Sequence, residues 1–307
     1  MPARSRPGRR PLILAFHGGT GTGTAMRRLA ALDLRADREG WVVAYPDAIG
    51  GHWNDGRRAP AIASHRNDVD DIAFAAALVD HLVATAGVDP DRVYATGMSN
   101  GGMLCHRLAA ERPDLVAAIA PVAGLAPEPL VAAGPPRRPV PVLVVHGTAD
   151  PVVPWVGGPV SGPRLGSLNP VWRADRVGNP PDLGTGPEGG DADRGRVASV
   201  EETVAWWRRA AGHDGDDLGH GEDEGDRGPI VQALPHRDPA DPTRVRVTSW
   251  SGGTAGADVV LVAVEGGGHT WPGGLQYLPQ RLIGVTAGDL NASDTMVAFF
   301  AGRTRRG

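Results

Sequence analysis

Short, continuous apolar runs recur along the chain: "LILAF" at 12–16, "WVVAY" at 41–45, "RVYAT" at 92–96, "VAAIAPVAG" at 116–124 and "VPVLVVHG" at 140–147. An unbroken apolar run, rather than one alternating with polar residues, is what a strand covered on both faces requires. Between these runs, 25–38, 68–86 and 101–112 carry apolar residues at helical spacing, with Asn67 or Asp68 placed to cap the second helix and Gly87 to end it. Strands alternating with helices predict βα units. The product is a mostly parallel central sheet with helices on both faces, and ligands bind at the carboxyl ends of such strands.

After Trp155 the periodicity dissolves. Residues 156–198 are rich in glycine and proline and read as a loop or lid insertion, 199–211 recovers a helix carrying Trp206 and Trp207, and 212–229 is an acidic insertion of low complexity. The runs 243–250 and 258–266 are strands joined by "SGGTAGA", a connection suited to a hairpin at the far edge of the sheet. A last helix over 292–301 offers Met296, Val297, Phe299 and Phe300 to the core, with Asn291 or Ser293 as its cap. With 307 residues and 41% hydrophobic content the chain reads as one domain, 1–307, enlarged by these two insertions. Single α/β domains commonly reach about 200–250 residues.

Composition removes several functions from this picture. A formal net charge of −4 gives no electrostatic footprint for nucleic acid. No run approaches the roughly 18 apolar residues of a membrane span, and the arginine-rich start leads only into "PLILAF", a strand rather than an export signal. Cys105 is the single cysteine, so no intramolecular disulfide forms; its helical neighbours Met103, Leu104 and Leu108 mark it as a core residue. The acidic run lacks the ordered ligand spacing of a calcium loop and reads as a solvated segment. "GGTGTG" at 18–23 fits neither the dinucleotide fingerprint nor a Walker sequence. Neither segment therefore marks a metal or a nucleotide site.

The chemistry concentrates at Gly97-Met98-Ser99-Asn100-Gly101, a G-x-S-x-G between a predicted strand and a predicted helix. Such a nucleophile elbow lifts the serine hydroxyl above the sheet and leaves the next amides at a helix N-terminus, where negative charge is stabilised. A serine needs a base oriented by a carboxylate, and in α/β-hydrolases these follow in the order Asp or Glu, then His. Asp150 follows a strongly apolar strand and His269 follows the last one, in a glycine-rich loop; Asp289 and Asp294 are weaker rivals because they come after His269. Of the other histidines, His146 reads as a packed strand-end residue, His106 points away from the elbow, and His213, His220 and His236 fall in or near the acidic segment. "LAFHGGTGTG" offers backbone amides for an oxyanion, with Gly19, or alternatively Thr20, acting beside Asn100. Trp53 and Trp271 are candidates to line a substrate pocket, as Trp155 is less strongly, and each is equally suited to the core.

"AFHGG", "DDIAFAAALVD", "VDPDRVYATGMSNGGML", "AAIAPVAG", "VPVLVVHGTADPVVP", "GGGHTWPGG" and "ASDTMVAFFA" stand in an order and spacing that cover nearly the whole chain. In these the chain resembles the poly(3-hydroxybutyrate) depolymerase and feruloyl esterase group of α/β-hydrolases, including LpqC-like esterases. The resemblance implies an α/β-hydrolase fold and a serine esterase with Ser99, Asp150 and His269 in catalytic roles, acting on a small-molecule or polymeric ester without a cofactor. It also implies one or two strands ahead of the first; only eleven residues precede Leu12, so either the start is assigned late or N-terminal edge strands of the sheet are missing. An extracellular protein is implied as well, whereas the start as written, without an export signal, points to the cytoplasm. Two other functions use the same residues or fold: an acyltransferase with the same acyl-enzyme, and a non-catalytic module that binds an ester or polymer. Oligomeric state leaves no mark in the sequence.

Overall fold

A computed structural model describes residues 8–161, 193–213 and 228–305. Its centre is an eight-stranded sheet. In chain order the strands are β1 (Arg10–Phe16), β2 (Val42–Ala44), β3 (Val88–Met98), β4 (Ala118–Val122), β5 (Val142–Gly147), β6 (Gly158–Pro159), β7 (Arg196–Val197), β8 (Ile230–Ala233), β9 (Arg244–Trp250) and β10 (Val259–Glu265). The sheet runs β2-β1-β3-β4-β5-β10-β9-β8; the first six are parallel, and β9 is antiparallel to both its neighbours. This is the expected α/β-hydrolase arrangement. The strands β6 and β7 pair separately and bring together the two ends of the 156–198 segment. Residues 162–192 of that segment and 214–227 of the acidic insertion, with His220, lie outside the described residues.

The helices are α1 (Gly23–Ala30), α2 (Asp33–Glu39), α3 (Ala63–Arg66), α4 (Asp71–Thr85), α5 (Asn100–Glu111), α6 (Glu128–Ala132), α7 (Val200–Ala210), α8 (Gln280–Ile283) and α9 (Ala292–Phe300). Alternate side chains of each central strand enter opposite cores. Leu12, Leu14 and Phe16 of β1 and Val142 and Val144 of β5 join Ile72 and Val79 of α4, Leu104 and Leu108 of α5 and Trp206 and Trp207 of α7. Ile13, Ala15, Leu143 and Val145 face Met26 and Leu29 of α1 and Met296 and Phe300 of α9. Each large side chain so covered contributes about 1.5–3 kcal/mol relative to exposure, which is why the continuous apolar runs locate these strands.

Four expectations need correction. The helix over 25–38 is two helices, because Ala31 takes a left-handed conformation (φ 47°) that ends α1 and lets Leu32 turn into the core. The long helix α4 is capped by Asp70, whose carboxylate accepts from the Ala73 amide, rather than by Asn67 or Asp68. The hairpin β9–β10 is not at the sheet edge, since β8 lies outside it. Every residue of β8 is exposed, so it carries no burial pattern from which a strand could be read. The fourth correction is the enclosure of Trp53 and Trp271, both of which belong to the core. Asn291 is the cap of α9, accepting from the Asp294 amide. Among the described residues no helix is long and apolar enough to cross a membrane.

Candidate active site

Ser99 sits between β3 and α5 at φ 55°, ψ −120°, a conformation most side chains avoid. Its neighbours explain how the corner closes. A Cβ on Gly97 would lie 2.5 Å from the Gly101 carbonyl carbon, and one on Gly101 would lie 2.3 Å from the Phe16 carbonyl oxygen. Both partners are backbone, so neither can yield. The Ser99 amide donates to Val122 O at 2.9 Å and its carbonyl accepts from the Met103 amide at 2.9 Å, fixing the turn to β4 and to the first turn of α5. Ser99 itself is half-buried and opens to solvent beyond the carboxyl end of β3.

The loop after β1 lies against this corner: a Cβ on Gly18 would stand 3.5 Å from Ser99 Cβ. The Thr20 amide donates to Gly51 O at 2.7 Å, which removes Thr20 from the candidate oxyanion donors. The amides of Gly19 and Asn100 meet no protein acceptor among the described residues. His52 packs on Gly19, with Nε2 2.8 Å from where a Cβ would be. Burial, aided by Arg194 and Arg57, lowers its pKa to about 4, so it is neutral at neutral pH.

Asp150 and His269 meet beyond β5 and β10, the next strands along the sheet but for β4. The two loops touch through backbone: a Cβ on Gly147 would lie 2.3 Å from Gly267 O, and the Ala149 amide donates to Gly267 O at 2.9 Å. Asp150 Oδ1 accepts the Val152 and Val153 amides at 2.8 and 2.9 Å, which turns Oδ2 toward His269 Nδ1, 2.8 Å away. A carboxylate only accepts, so the imidazole proton belongs on Nδ1 and Nε2 keeps its lone pair. Burial is the strongest influence on the Asp150 carboxyl and raises its pKa, but His269, His146 and the Val153 amide together hold it below the usual carboxylate range. His269 is anchored through its own backbone: its amide donates to Ile283 O at 2.6 Å and its carbonyl accepts from the Tyr277 hydroxyl at 2.8 Å. No sequence pattern points to Tyr277, whose only mark is its place eight residues after His269.

The rival residues are otherwise engaged. Asp289 accepts from His236 and the Arg237 amide, and Asp294 pairs with Arg35 on the surface. His106 accepts from Trp207 Nε1 at 2.9 Å behind the elbow; His146 faces Val153 O at 2.9 Å and stands 3.7 Å from Asp150 Oδ2. Trp53 and Trp271 do not line a pocket. Both are fully buried: the Trp53 indole donates to His17 O at 3.0 Å and packs on Phe16, and the Trp271 indole donates to Ser293 Oγ at 3.0 Å. The strongly apolar ring with one polar handle suits either place, and here the handle finds a buried acceptor. Trp155 is partly buried and donates to Glu201. An open cavity of about 510 Å³, lined by Asn54, Gly56, His65, Arg107 and Leu130 among others, includes none of Ser99, Asp150 and His269. Among the described residues no cluster of three or more His, Cys, Asp or Glu is placed to hold a metal ion.

Residues 1–130 match the family model described as "Esterase PHB depolymerase". The chain is 36% identical over 304 residues to the putative esterase NocK of Nocardia uniformis subsp. tsuyamanensis, an alignment covering 98% of this chain and 76% of that one. It is 32% identical over 154 residues to feruloyl esterase B of Piromyces equi, covering 48% of this chain and only 27% of that protein. The acetyl xylan esterase from Aspergillus awamori has a similar fold, with a TM-score of 0.55 at 15% identity over 96% of this chain and 90% of that one.

Proposed function

Because this chain belongs to the esterase PHB depolymerase family of carboxylic-ester hydrolases, we propose that it cleaves esters through an acyl-enzyme on Ser99. His269 Nε2 takes the Ser99 proton as Oγ attacks the ester carbonyl. The tetrahedral oxyanion then lies against the Gly19 and Asn100 amides, the second of which heads a 12-residue helix whose dipole favours negative charge. Collapse expels the alcohol with the proton from His269, and water repeats the sequence to release the acid. Asp150 keeps the proton on Nδ1 and stabilises the imidazolium. The observation that carries this reading is the 2.8 Å contact between Asp150 and His269, with no partner for Nε2 among the described residues, on loops at the same carboxyl end of the strands as Ser99.

The substrate class is a carboxylic ester of a small molecule or polymer, in keeping with relatives named feruloyl esterase and acetylxylan esterase. We further read 1–307 as one catalytic domain, with 156–198 and 212–229 as its insertions. The test is hydrolysis of methyl ferulate, hydroxybutyrate oligomers and acetylated xylo-oligosaccharides by wild type and Ser99→Ala. Turnover of at least one substrate should fall by about 10⁶ in Ser99→Ala, the loss seen when a serine nucleophile is removed. A folded Ser99→Ala protein that still turns over at the wild-type rate overturns the proposal.

A further inference from the structure

Just after the turn at Gly50 and Gly51 lies a buried polar cluster with no place in the scheme above. Asn100, which follows the nucleophile, is 2% exposed, and its carboxamide is fully engaged by the segment 53–57. Oδ1 accepts the Trp53 amide at 2.8 Å, while Nδ2 donates to Trp53 O at 2.9 Å and to Asp55 Oδ2 at 2.6 Å. An amide donor on one side and a carboxylate on the other admit only this orientation of the carboxamide. Asp55, wholly buried, also accepts from the Arg57 amide at 3.1 Å and from Arg57 Nε at 2.9 Å. A buried carboxylate is stable only when its charge and lone pairs are met in this way.

The same segment grips the other side of the site. The Trp53 indole donates to His17 O at 3.0 Å, two residues before Gly19, and a Cβ on Gly101 would stand 2.6 Å from that same carbonyl. The His17 ring faces Gly18 O through Nδ1 at 2.8 Å and accepts the Ala48 amide on Nε2 at 3.0 Å. That arrangement needs a neutral imidazole, and burial lowers the His17 pKa accordingly. Trp53 therefore holds Asn100 by its backbone and the loop of Gly19 by its ring.

We infer that Trp53, beside the buried Asp55–Arg57 pair that holds the same Asn100 carboxamide, is a positioning residue that sets the separation of the two oxyanion donors, the amides of Gly19 and Asn100. The inference rests on the acyl-enzyme reading and adds to it how an amide of the loop after β1 and the first amide of α5 are kept in register. An oxyanion donor is worth about 10²–10³ in turnover and a misplacement of about 1 Å can cost 10²-fold, so a loosened clamp acts on kcat rather than on substrate binding.

Trp53→Phe removes the indole N–H and keeps an aromatic ring; Asn100→Ala removes the carboxamide and keeps the backbone amide. Both are compared with Trp206→Phe, which deletes another indole hydrogen bond, to Gly134 O at 2.7 Å, that takes no part in the clamp. The measurements are kcat and KM for p-nitrophenyl acetate, Ki for an alkyl trifluoromethyl ketone, and Tm. Addition of Ser99 Oγ to that ketone places an oxyanion against the two amides, with the serine proton held on His269. We expect Trp53→Phe to lower kcat and weaken the ketone by about tenfold and Asn100→Ala by up to about 10². KM should stay within about twofold, and Trp206→Phe should change Tm alone. Wild-type kcat and Ki in folded Trp53→Phe and Asn100→Ala overturn the inference, as does a loss that Trp206→Phe reproduces. Undiminished activity in Ser99→Ala marks a failure of the acyl-enzyme reading instead.

Discussion

The corner after β3 and the paired loops after β5 and β10 lie at the same, carboxyl end of the parallel strands, but the Ser99 and His269 side chains are placed by different forces. At the corner, the position of Ser99 follows from its own backbone angles, which Gly97 and Gly101 permit by leaving room for carbonyls 2.3–2.8 Å from any Cβ. In the loops, glycines again allow the backbones to touch, yet the imidazole is aimed by hydrogen bonds: two amides on Asp150 Oδ1, His269 on Oδ2, and Tyr277 on the His269 carbonyl. Backbone sterics are nearly all-or-none, whereas each hydrogen bond can be removed by itself. Each half is also backed by a buried histidine that burial keeps neutral, His106 behind the elbow and His146 behind Asp150.

The largest effect should come from the loops without disturbing the fold. Asp150→Asn offers His269 the wrong tautomer, a change that costs about 10⁴ in turnover in the serine-protease template. Near-normal turnover in a folded Asp150→Asn protein would refute the assigned roles. At the corner, Gly101→Ala drives a methyl into the carbonyls of Phe16 and His17, and overpacking of this kind costs about 1–3 kcal/mol or more. Its melting temperature and its activity should fall together; a variant as stable as wild type would show that the corner has slack.

The histidine behind the elbow can be tested by pH. His106 has its pKa lowered to about 3, by burial first, against 6.5 when exposed. Between those values the unfolded chain binds the extra proton, so stability rises with pH across that window and is complete above it, at about 1.4 kcal/mol per pH unit for one group. His106→Gln, which can still accept from Trp207 and donate to Gly124 O, should reduce the slope of unfolding free energy against pH between 3 and 6.5 by about one proton. An unchanged slope would place the acid sensitivity elsewhere. Tyr277→Phe deletes one neutral hydrogen bond to His269 O and should cost about 1 kcal/mol. Because it loosens only one anchor, turnover should drop a few-fold, and a loss as large as that of Asp150→Asn would contradict the graded picture. The smallest change is expected for Asp294→Asn, whose partner Arg35 lies at the surface; exposed pairs contribute about 0–1 kcal/mol, and turnover should be unaltered.

Local physics accounts for what the chain alone determined. Both-face burial writes continuous apolar runs, so the strands β1, β3, β4, β5 and β10 are legible from them; the elbow is legible because the glycines flanking Ser99 are a steric requirement of neighbouring residues. The chain order nominated Asp150 and His269, but their contact joins residues 119 apart, and only the adjacency of β5 and β10 creates it. The burial of Trp53 and Trp271 was open in the sequence because an indole suits a pocket and a core equally, and an acceptor such as His17 O or Ser293 Oγ is supplied by another part of the fold. The strand β8 was invisible because an exposed edge imposes no apolar pattern. The clamp of Trp53 and Asp55 on Asn100 joins residues up to 47 apart and is made of polar groups whose identity makes sense only once they are buried together. Sequence pattern records what adjacent residues demand of one another, and the sheet order decides which distant residues satisfy a buried charge, amide or ring.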